Sequence, residues 1–258
     1  MTFAEHGEAL GDACSVLRNN ALAAGLTAPV PTCPGWSVLD LVVHQGRVHR
    51  WAAEVVQGVP REQWRTDADI DAEGRAAADV LDWFDEGMVD LLNALARAPQ
   101  DLDVFFFLKD APPSREAWAR RQCHETSIHA VDAMAARLGR MPFAEETWIR
   151  PALAVDGIDE LLMGFVPRQT GKLRSDVPLT VYVRPTDVDA SWTMRVGPEA
   201  VVSGVGGAGL GHGEQPDIVL EGTAGALYLG LWNRGDEVAE SGSRGFLARW
   251  RADQRVGW

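Results

Sequence analysis

The chain has 258 residues, of which 46% are hydrophobic and 10 are tryptophan, and its formal net charge at pH 7 is −13. This length and apolar content predict one large domain or two modest ones with well-developed cores. A strongly acidic chain repels phosphate backbones, so nucleic-acid binding is not expected.

Membrane and secretory segments are not expected either. No apolar run in the sequence approaches the ~18 residues that a membrane helix needs. The first residues, MTFAEHGEALGDA, lack the basic start and the apolar run of a signal peptide. Three cysteines in a chain of this length do not form a disulfide framework. We therefore expect a reduced protein in the cytoplasm.

Four long segments in the first part of the chain have helical composition and periodicity. They span about residues 4–24, 37–57, 76–97 and 114–138. The proline-rich stretch 29–36 cannot be helical, and Ser37 and Asp40 then form a capping-box-like start for the second helix. An acidic connection at 65–71 and an apolar loop at 103–114 separate the other helices. The apolar faces of the four helices predict a four-helix bundle.

The composition changes after residue 139. A further helix is predicted at about 146–165, and a polar linker follows at 167–176. Three strands are predicted at 179–184, 191–196 and 217–221, and a last helix at 224–234 ends at Gly235. The glycine-rich stretch 203–214 predicts a loop and fits neither glycine motif of nucleotide-binding sites.

These elements predict a multi-domain protein of mainly α plus α+β class. We place an N-terminal four-helix bundle in residues 1–166, with the extra helix at about 146–165 included. A small C-terminal α+β domain then occupies residues 177–258.

Metal-ligating side chains fall on two of the predicted helices. Glu125 and His129 are four residues apart in a segment without Pro or Gly, so they stack on one helix face. His44 falls on the apolar face of the second helix. Two imidazoles and one carboxylate would leave one coordination position open, as catalytic zinc sites do. The alternative is a buried structural His44 beside a surface Glu125–His129 pair, and the pattern alone does not decide.

Several other polar residues lie near these three candidate ligands in the sequence. Asp132 either orients a metal-binding histidine or is a solvated helix residue. His49 projects about 140° away from His44, so we expect it at the periphery, and we expect His124 on the surface. Cys33, in the loop before the second helix, is better explained by packing than as a ligand or nucleophile. The two remaining cysteines, Cys14 and Cys123, are interpreted as structural.

Four segments together resemble one known family, the mycothiol-dependent maleylpyruvate isomerases, which belong to the DinB-like metal-binding four-helix bundles. The first two are VPTCPGWSVLDLVVHQGRVHRW at 30–51 and HETSIHAVDA at 124–133. Two later segments resemble the C-terminal domain of that family, DGIDELL at 156–162 and DIVLEGTAGALYLGLWNR at 217–234. The resemblance therefore spans nearly the whole chain.

The resemblance implies a divalent metal, usually zinc, held by His44, Glu125 and His129. It also implies that the small thiol mycothiol binds with its sulfur at the open metal position. The reaction would be addition of this thiol to a small electrophile, giving thiol transfer or cis–trans isomerisation. Arg234 matches a family position that meets an acidic substrate, although a cation in the last helical turn is an alternative interpretation. Where the family often has Arg directly before the glutamate, this chain has His124, so maleylpyruvate itself is not assumed.

Two alternative functions use the same three ligands. One is a non-haem iron enzyme with a facial triad, and the other is a non-catalytic metal-binding or stress-response module. The expected partners are a small electrophile and a low-molecular-weight thiol, and the chain is expected to be a monomer or a homodimer.

Overall fold

The structure is a computed structural model that describes residues 1–108, 111–207, 215–242 and 245–254. Its internal contacts divide the chain into two compact units, Met1–Pro142 and Phe143–Trp258. None of the helices in the described ranges is long and apolar enough to cross a membrane.

The first unit is the predicted four-helix bundle. Its helices are α1 (Phe3–Ala24), α2 (Val38–Val56), α3 (Asp67–Ala76), α4 (Val80–Arg97) and α5 (Ser114–Leu138), with a 3₁₀ turn at Arg61–Gln63. The long helices α1, α2, α4 and α5 form the bundle, with α1 packed along α5 and α2 along α4. Helix α2 also packs against α5, and this pairing places the candidate ligands of the two helices side by side.

The start of α2 is fixed by the capping box that the sequence predicts. The backbone N–H of Asp40 donates to Ser37 Oγ at 3.3 Å, and Asp40 Oδ2 accepts the backbone N–H of Ser37 at 2.9 Å. These bonds satisfy two of the amide groups that a helix N-terminus leaves without partners. The helix that carries His44 therefore begins at a defined residue, directly after Trp36.

Helix α3 corrects the prediction of an acidic connection at 65–71. Thr66 caps α3 by accepting the N–H of Asp69 at 3.2 Å, and acidic residues in the first turn favour a helix N-terminus. Only Ile70 and Gly74 of this helix are buried, so its sequence has almost no apolar stripe to detect. The next helix, predicted from residue 76, begins at Val80.

The second unit is an α+β domain, as predicted. Its described residues form five strands, β1 (Leu179–Pro185), β2 (Trp192–Val196), β3 (Val202–Val205), β4 (Ile218–Gly222) and β5 (Ala239–Gly242). Its helices are α6 (Pro151–Asp159), α7 (Ala224–Leu231) and α8 (Phe246–Asp253), with a 3₁₀ turn at Ala144–Glu146. The sheet order is β3-β2-β1-β4-β5, and only β1 and β4 run parallel.

Three elements of this unit, β3, β5 and α8, were not predicted. Strand β3 occupies residues that were assigned to the glycine-rich loop 203–214, whose part at 208–214 lies outside the described residues. Strand β5 contains no residue with high β propensity, and β3 has a serine and a glycine between its two valines. Each short strand pairs with a longer neighbour, β3 with β2 and β5 with β4.

The helix predicted at 146–165 begins at Pro151, a residue that favours the first helical turn, and continues as a π-helical segment, Glu160–Phe165. It belongs to the second compact unit, whereas the sequence analysis grouped it with the bundle. The reason is its packing against the end of α7, where Trp232 Nε1 donates to the carbonyl of Gly157 at 3.2 Å. Helix α7 ends at Leu231, before the predicted residue 234, because Asn233 adopts a left-handed φ of 62°.

Candidate metal centre

The three predicted ligands converge in the bundle. Glu125 Oε1 lies 3.3 Å from His129 Nε2 and 3.6 Å from His44 Nε2, and one ligand atom of each residue lies within 4.8 Å of the others. A tetrahedral ion with bonds of about 2.0–2.2 Å separates its ligand atoms by about 3.3–3.6 Å. The spacing of these three side chains therefore fits one divalent ion with a fourth position left open.

The centre is largely shielded from solvent. Glu125 and His129 are 5% and 8% exposed, and His44 is half-buried. The indole of Trp36 lies against both histidines, with ring centroids 5.0 Å from His44 and 6.2 Å from His129. Its plane is nearly parallel to the His129 ring, at 15°. Few water molecules can therefore reach these imidazoles.

Asp132 holds His129 in the orientation that a ligand needs. Its Oδ2 lies 2.8 Å from His129 Nδ1, and its side chain is fully buried, so the alternative of a solvated residue is wrong. A carboxylate on Nδ1 fixes the ring so that Nε2 faces Glu125 and His44. Burial lowers the pKa of His129, but the bonds to Asp132 and Glu125 outweigh burial and raise it to about 9.

Cys33 lies at the edge of the same group. Its Sγ donates to Asp132 Oδ2 at 3.3 Å, on the side of the carboxylate that also contacts His129. Cys33, His129 and Asp132 form a second set of potential ligand atoms within 4.8 Å. His129 is common to both sets, and it faces Glu125 through Nε2 and Asp132 through Nδ1.

Glu125 is held in its ionised form. Burial raises the pKa of this carboxyl, but contacts with His129 and His44 outweigh burial and hold the pKa well below its usual value. Its other oxygen, Oε2, accepts a hydrogen bond from Arg121 Nη2 at 3.0 Å. The carboxylate is therefore available as an anionic ligand through Oε1.

His44 fits the centre with one adjustment. Arg47 Nη2 lies 3.0 Å from His44 Nδ1 and donates to it, so the neutral ring carries its proton on Nε2. A ligand bond through Nε2 requires that proton to move to Nδ1 and the guanidinium to turn away. Arg47 also contacts Asp67 and Asp71, which can hold it after that movement. Burial lowers the pKa of His44, and a lower pKa favours the neutral form that binds metals.

The expectations for His49 and His124 are wrong, because both residues are fully buried. Nearly every residue of α5 from Ala117 to Ala135 is enclosed by the bundle, and α2 is buried on more than one side. A projection that assumes one apolar face underestimates how many residues of such helices are buried. The closely spaced alanines of α5 at 130, 133 and 135 were a sign of its central position.

These two buried histidines contact other polar side chains. His49 Nε2 lies 2.9 Å from Thr126 Oγ1 and 2.9 Å from Gln45 Nε2, and burial lowers the pKa of His49 to about 3. The His124 ring lies edge-on to the His6 ring, with centroids 6.1 Å apart. The structural interpretation of the remaining cysteines, Cys14 and Cys123, agrees with their position, since both are buried.

Arg121 and Trp36 are the contacts that sequence analysis missed. Arg121 precedes Glu125 by one helical turn, so the i,i+4 spacing of opposite charges could have revealed it. Trp36 precedes a helix cap, a position whose usual role is to pack against the first turns of the helix.

Arg234 lies in the second unit, beyond the end of α7. It therefore lies past Leu231, the last residue of the helix, and not within the last turn itself. Its Nη1 donates to the carbonyl of Trp232 at 3.0 Å, so it still interacts with the carbonyl end of the helix. A substrate-binding role for Arg234 stays a prediction.

The chain matches two protein-family models, one over each half. The family model described as the mycothiol maleylpyruvate isomerase N-terminal domain matches residues 7–134, and the one described as the C-terminal domain matches residues 152–251. The chain belongs to the mycothiol-dependent maleylpyruvate isomerase family. The resemblance seen in the sequence is thereby confirmed.

Solved structures show the same fold. A crystal structure of the mycothiol-dependent maleylpyruvate isomerase shares 13% identity with this chain, covers 93% of both chains and superposes with a TM-score of 0.61. A histidine-to-alanine mutant of that enzyme shares 11% identity, with the same coverage and a TM-score of 0.63. At these identities the likeness concerns the fold alone. No curated protein matches the chain.

Proposed function

We propose that this protein is a metal-dependent isomerase or S-transferase that uses mycothiol as the nucleophile toward a small electrophile. The observation that carries the proposal is the convergence of His44, Glu125 and His129 in the bundle of a mycothiol-dependent family. A lone cluster of this kind is weak evidence for an enzyme, but here the cluster and the family support the same chemistry.

The donor set supports zinc as the metal. Two imidazole nitrogens and one carboxylate oxygen with a fourth position open are the ligands of catalytic zinc sites. When bound there, the metal would supply a site at which a thiol is deprotonated at neutral pH. Two side chains support the metal ligands. Asp132 orients His129, and Trp36 limits the access of water to both histidines.

The thiolate then reacts with a conjugated double bond. Its sulfur adds to one alkene carbon, and the former double bond becomes a single bond about which the substrate rotates. Loss of the sulfur with its electron pair restores the double bond in the other geometry and regenerates the thiolate. The addition leaves the former π electron pair on the neighbouring carbon as a carbanion. If water returns to that carbon the proton that the thiol lost on ionisation, the product is a stable thiol conjugate. The bundle accelerates both outcomes by holding the sulfur and the electrophile together with little water.

We further propose that Arg234 binds an acidic group of the electrophile. A guanidinium presents paired N–H donors that match a carboxylate. A conjugated, acid-bearing molecule is the substrate class that such an arginine would favour. The acidic composition of the chain disfavours binding to nucleic acids. We also propose that the protein is a monomer or a homodimer in the cytoplasm.

Metal analysis combined with a product assay tests the proposal. The purified protein should retain a full equivalent of zinc and convert electrophiles from a panel that includes maleylpyruvate, and only when mycothiol is present. His44→Ala and His129→Ala should each lose the metal and the activity while they keep their helical content. Bound iron with oxygen consumption, or no product with any electrophile, would contradict it. Arg234→Met should raise KM for acidic electrophiles only, and unchanged kinetics would reject its role.

A further inference from the structure

Arg121 is a fully buried arginine on α5, one helical turn before Glu125. Its Nη2 donates to Glu125 Oε2 at 3.0 Å, and Glu125 itself is only 5% exposed. Exposed i,i+4 ion pairs contribute little to helix stability, whereas burial of a guanidinium is costly. Stability of the helix is therefore a poor explanation for this arginine.

The two oxygens of Glu125 have different surroundings. Oε2 contacts Arg121, whereas Oε1 faces His129 Nε2 at 3.3 Å and His44 Nε2 at 3.6 Å. A carboxylate whose second oxygen is occupied by a guanidinium can offer a cation only its first oxygen. Metal-binding carboxylates bind through either one oxygen or two, and the choice changes how many positions are left for other ligands.

The charge of Arg121 acts in the same direction. A guanidinium stays protonated in proteins, so its hydrogen bond to the carboxylate is permanently charge-assisted. This bond competes with any rotation of the carboxylate that would bring Oε2 to the metal. The geometry thus separates the two oxygens into one for the metal and one for the arginine.

We propose that Arg121 is a positioning residue that holds Glu125 as a one-oxygen ligand and thereby keeps the fourth metal position open for the thiol. The inference rests on the proposed function, because it concerns the same metal and the same thiol. It adds a residue that touches neither of them and acts only through Glu125.

Infrared spectroscopy of the wild-type protein tests the first half of the inference. The difference spectrum between the zinc-loaded and metal-free protein, with glutamate carboxyl groups labelled with carbon-13, isolates the ligand carboxylate. We expect the wide separation of the two carboxylate stretching bands that one-oxygen binding produces. The narrow separation of a chelating carboxylate would overturn the inference, and this measurement requires no variant.

Variants test the second half. In Arg121→Met the carboxylate is released, and binding of mycothiol to the cobalt-loaded protein, followed by the sulfur-to-cobalt absorption band, should weaken about tenfold or more. Arg121→Lys keeps a charge and a donor and should recover most of that loss. Arg120→Met removes the neighbouring, half-buried arginine of the same helix as a matched control and should bind like the wild type.

The outcomes separate this inference from the proposed function. If the wild-type protein gives no sulfur-to-cobalt band, the thiol chemistry fails. The infrared spectra of the zinc-loaded wild type and Arg121→Met then decide the role of Arg121, because only the variant should show the narrow band separation of a chelating carboxylate. If Arg121→Met binds mycothiol like the wild type, the inference is overturned while the proposed function stands. If Arg121→Met does not fold, Arg121→Lys and the wild-type infrared spectrum decide it.

Discussion

Asp132 binds His129 through a 2.8 Å contact between Oδ2 and Nδ1, and both residues lie on α5 within one helical turn of each other. The carboxylate determines which ring nitrogen faces His44 and Glu125. A histidine without this partner could rotate or carry its proton on the wrong nitrogen. Five predictions concern this contact, the metal centre and the helices that form it.

Asp132→Asn should weaken zinc binding by about 10- to 100-fold, since the amide cannot fix His129 in the same tautomer. Competition titration with a chromophoric chelator measures the change. Cys33→Ala serves as the control, because it removes the Sγ donor to Asp132 Oδ2 but leaves the contact with His129. Equal zinc affinity in Asp132→Asn and wild type would show that the contact does not orient a ligand.

Zinc binding should depend on pH through His129. Its pKa is raised to about 9 in the metal-free protein, so the ring is protonated at pH 7 and must lose that proton to become a ligand. The apparent zinc affinity should rise by about tenfold per pH unit up to pH 9 and then level off. Calorimetry in buffers of different ionisation enthalpy measures the released proton, and a pH-independent affinity would contradict this assignment.

The same shift affects the stability of the metal-free protein. The folded-state pKa of His129 is above its ordinary, unfolded value of about 6.5. Protonated His129 therefore contributes stability that is fully present below about pH 6.5. This contribution is lost as the pH rises through about 9. Urea denaturation between pH 6 and pH 10 should therefore show a decline in the metal-free protein. His129→Gln, which cannot titrate in this range, should lack that decline.

Trp36 should report metal binding through its fluorescence. Its indole lies 5.0 Å from the His44 ring, so a paramagnetic ion such as copper at the centre should quench it strongly. In Trp36→Phe most of the quenching should disappear. Trp64→Phe removes a tryptophan that contacts Trp51 edge-on, and it should preserve the quenching. Equal quenching in Trp36→Phe and the wild type would place the metal elsewhere.

The capping box of α2 should contribute to stability and to its acid sensitivity. Ser37→Ala removes the Oγ acceptor and should lower the free energy of unfolding by about 0.5–2 kcal/mol at pH 7. Hydrogen bonds from Ser37 and Arg75 lower the pKa of Asp40 to about 2. That carboxylate's contribution is present above its unfolded pKa of about 3.9 and is lost as the pH falls through about 2.

Chemical denaturation at pH 7 and near pH 2 measures both effects. The difference between Ser37→Ala and the wild type should shrink at the lower pH, as Asp40 becomes protonated. Glu8→Gln, a change at an exposed acid of α1, is the matched control and should alter stability little at either pH. If the difference in unfolding free energy between Ser37→Ala and the wild type did not depend on pH, the stabilising effect of the Ser37 cap would not involve Asp40.

The spacing of residues predicts one part of the site and misses another, for a physical reason. Glu125 and His129 share a face because helical periodicity is local, and His44 follows from the apolar face of its own helix. The burial of His49 and His124 depends on how many neighbours surround α2 and α5, which a single-helix projection does not contain. Trp36 also contacts His129, which lies on a different helix, α5, and no local pattern encodes a contact between separate segments.

The same distinction applies to the fold. Long amphipathic helices and the strands of the sheet centre are set by their own sequences, so α1, α2, α5, β1 and β2 were predicted within a few residues. Helix α3 lacks an apolar stripe, and β3 and β5 depend on partners for their formation. Elements that are stabilised chiefly by their neighbours leave the weakest signal in the sequence.

Most residues of the centre lie on one unbroken helix, α5, whose rise per residue sets their mutual spacing: Arg121, Glu125, His129 and Asp132. His44, in contrast, lies on α2. The distance between these two helices is therefore set by tertiary packing and not by the geometry of α5. A cation bound there would act as a clip between them, and its radius would be matched to helix separation rather than to any single side chain. Substitutions that wedge α2 outward should therefore shift preference toward larger ions before they abolish binding.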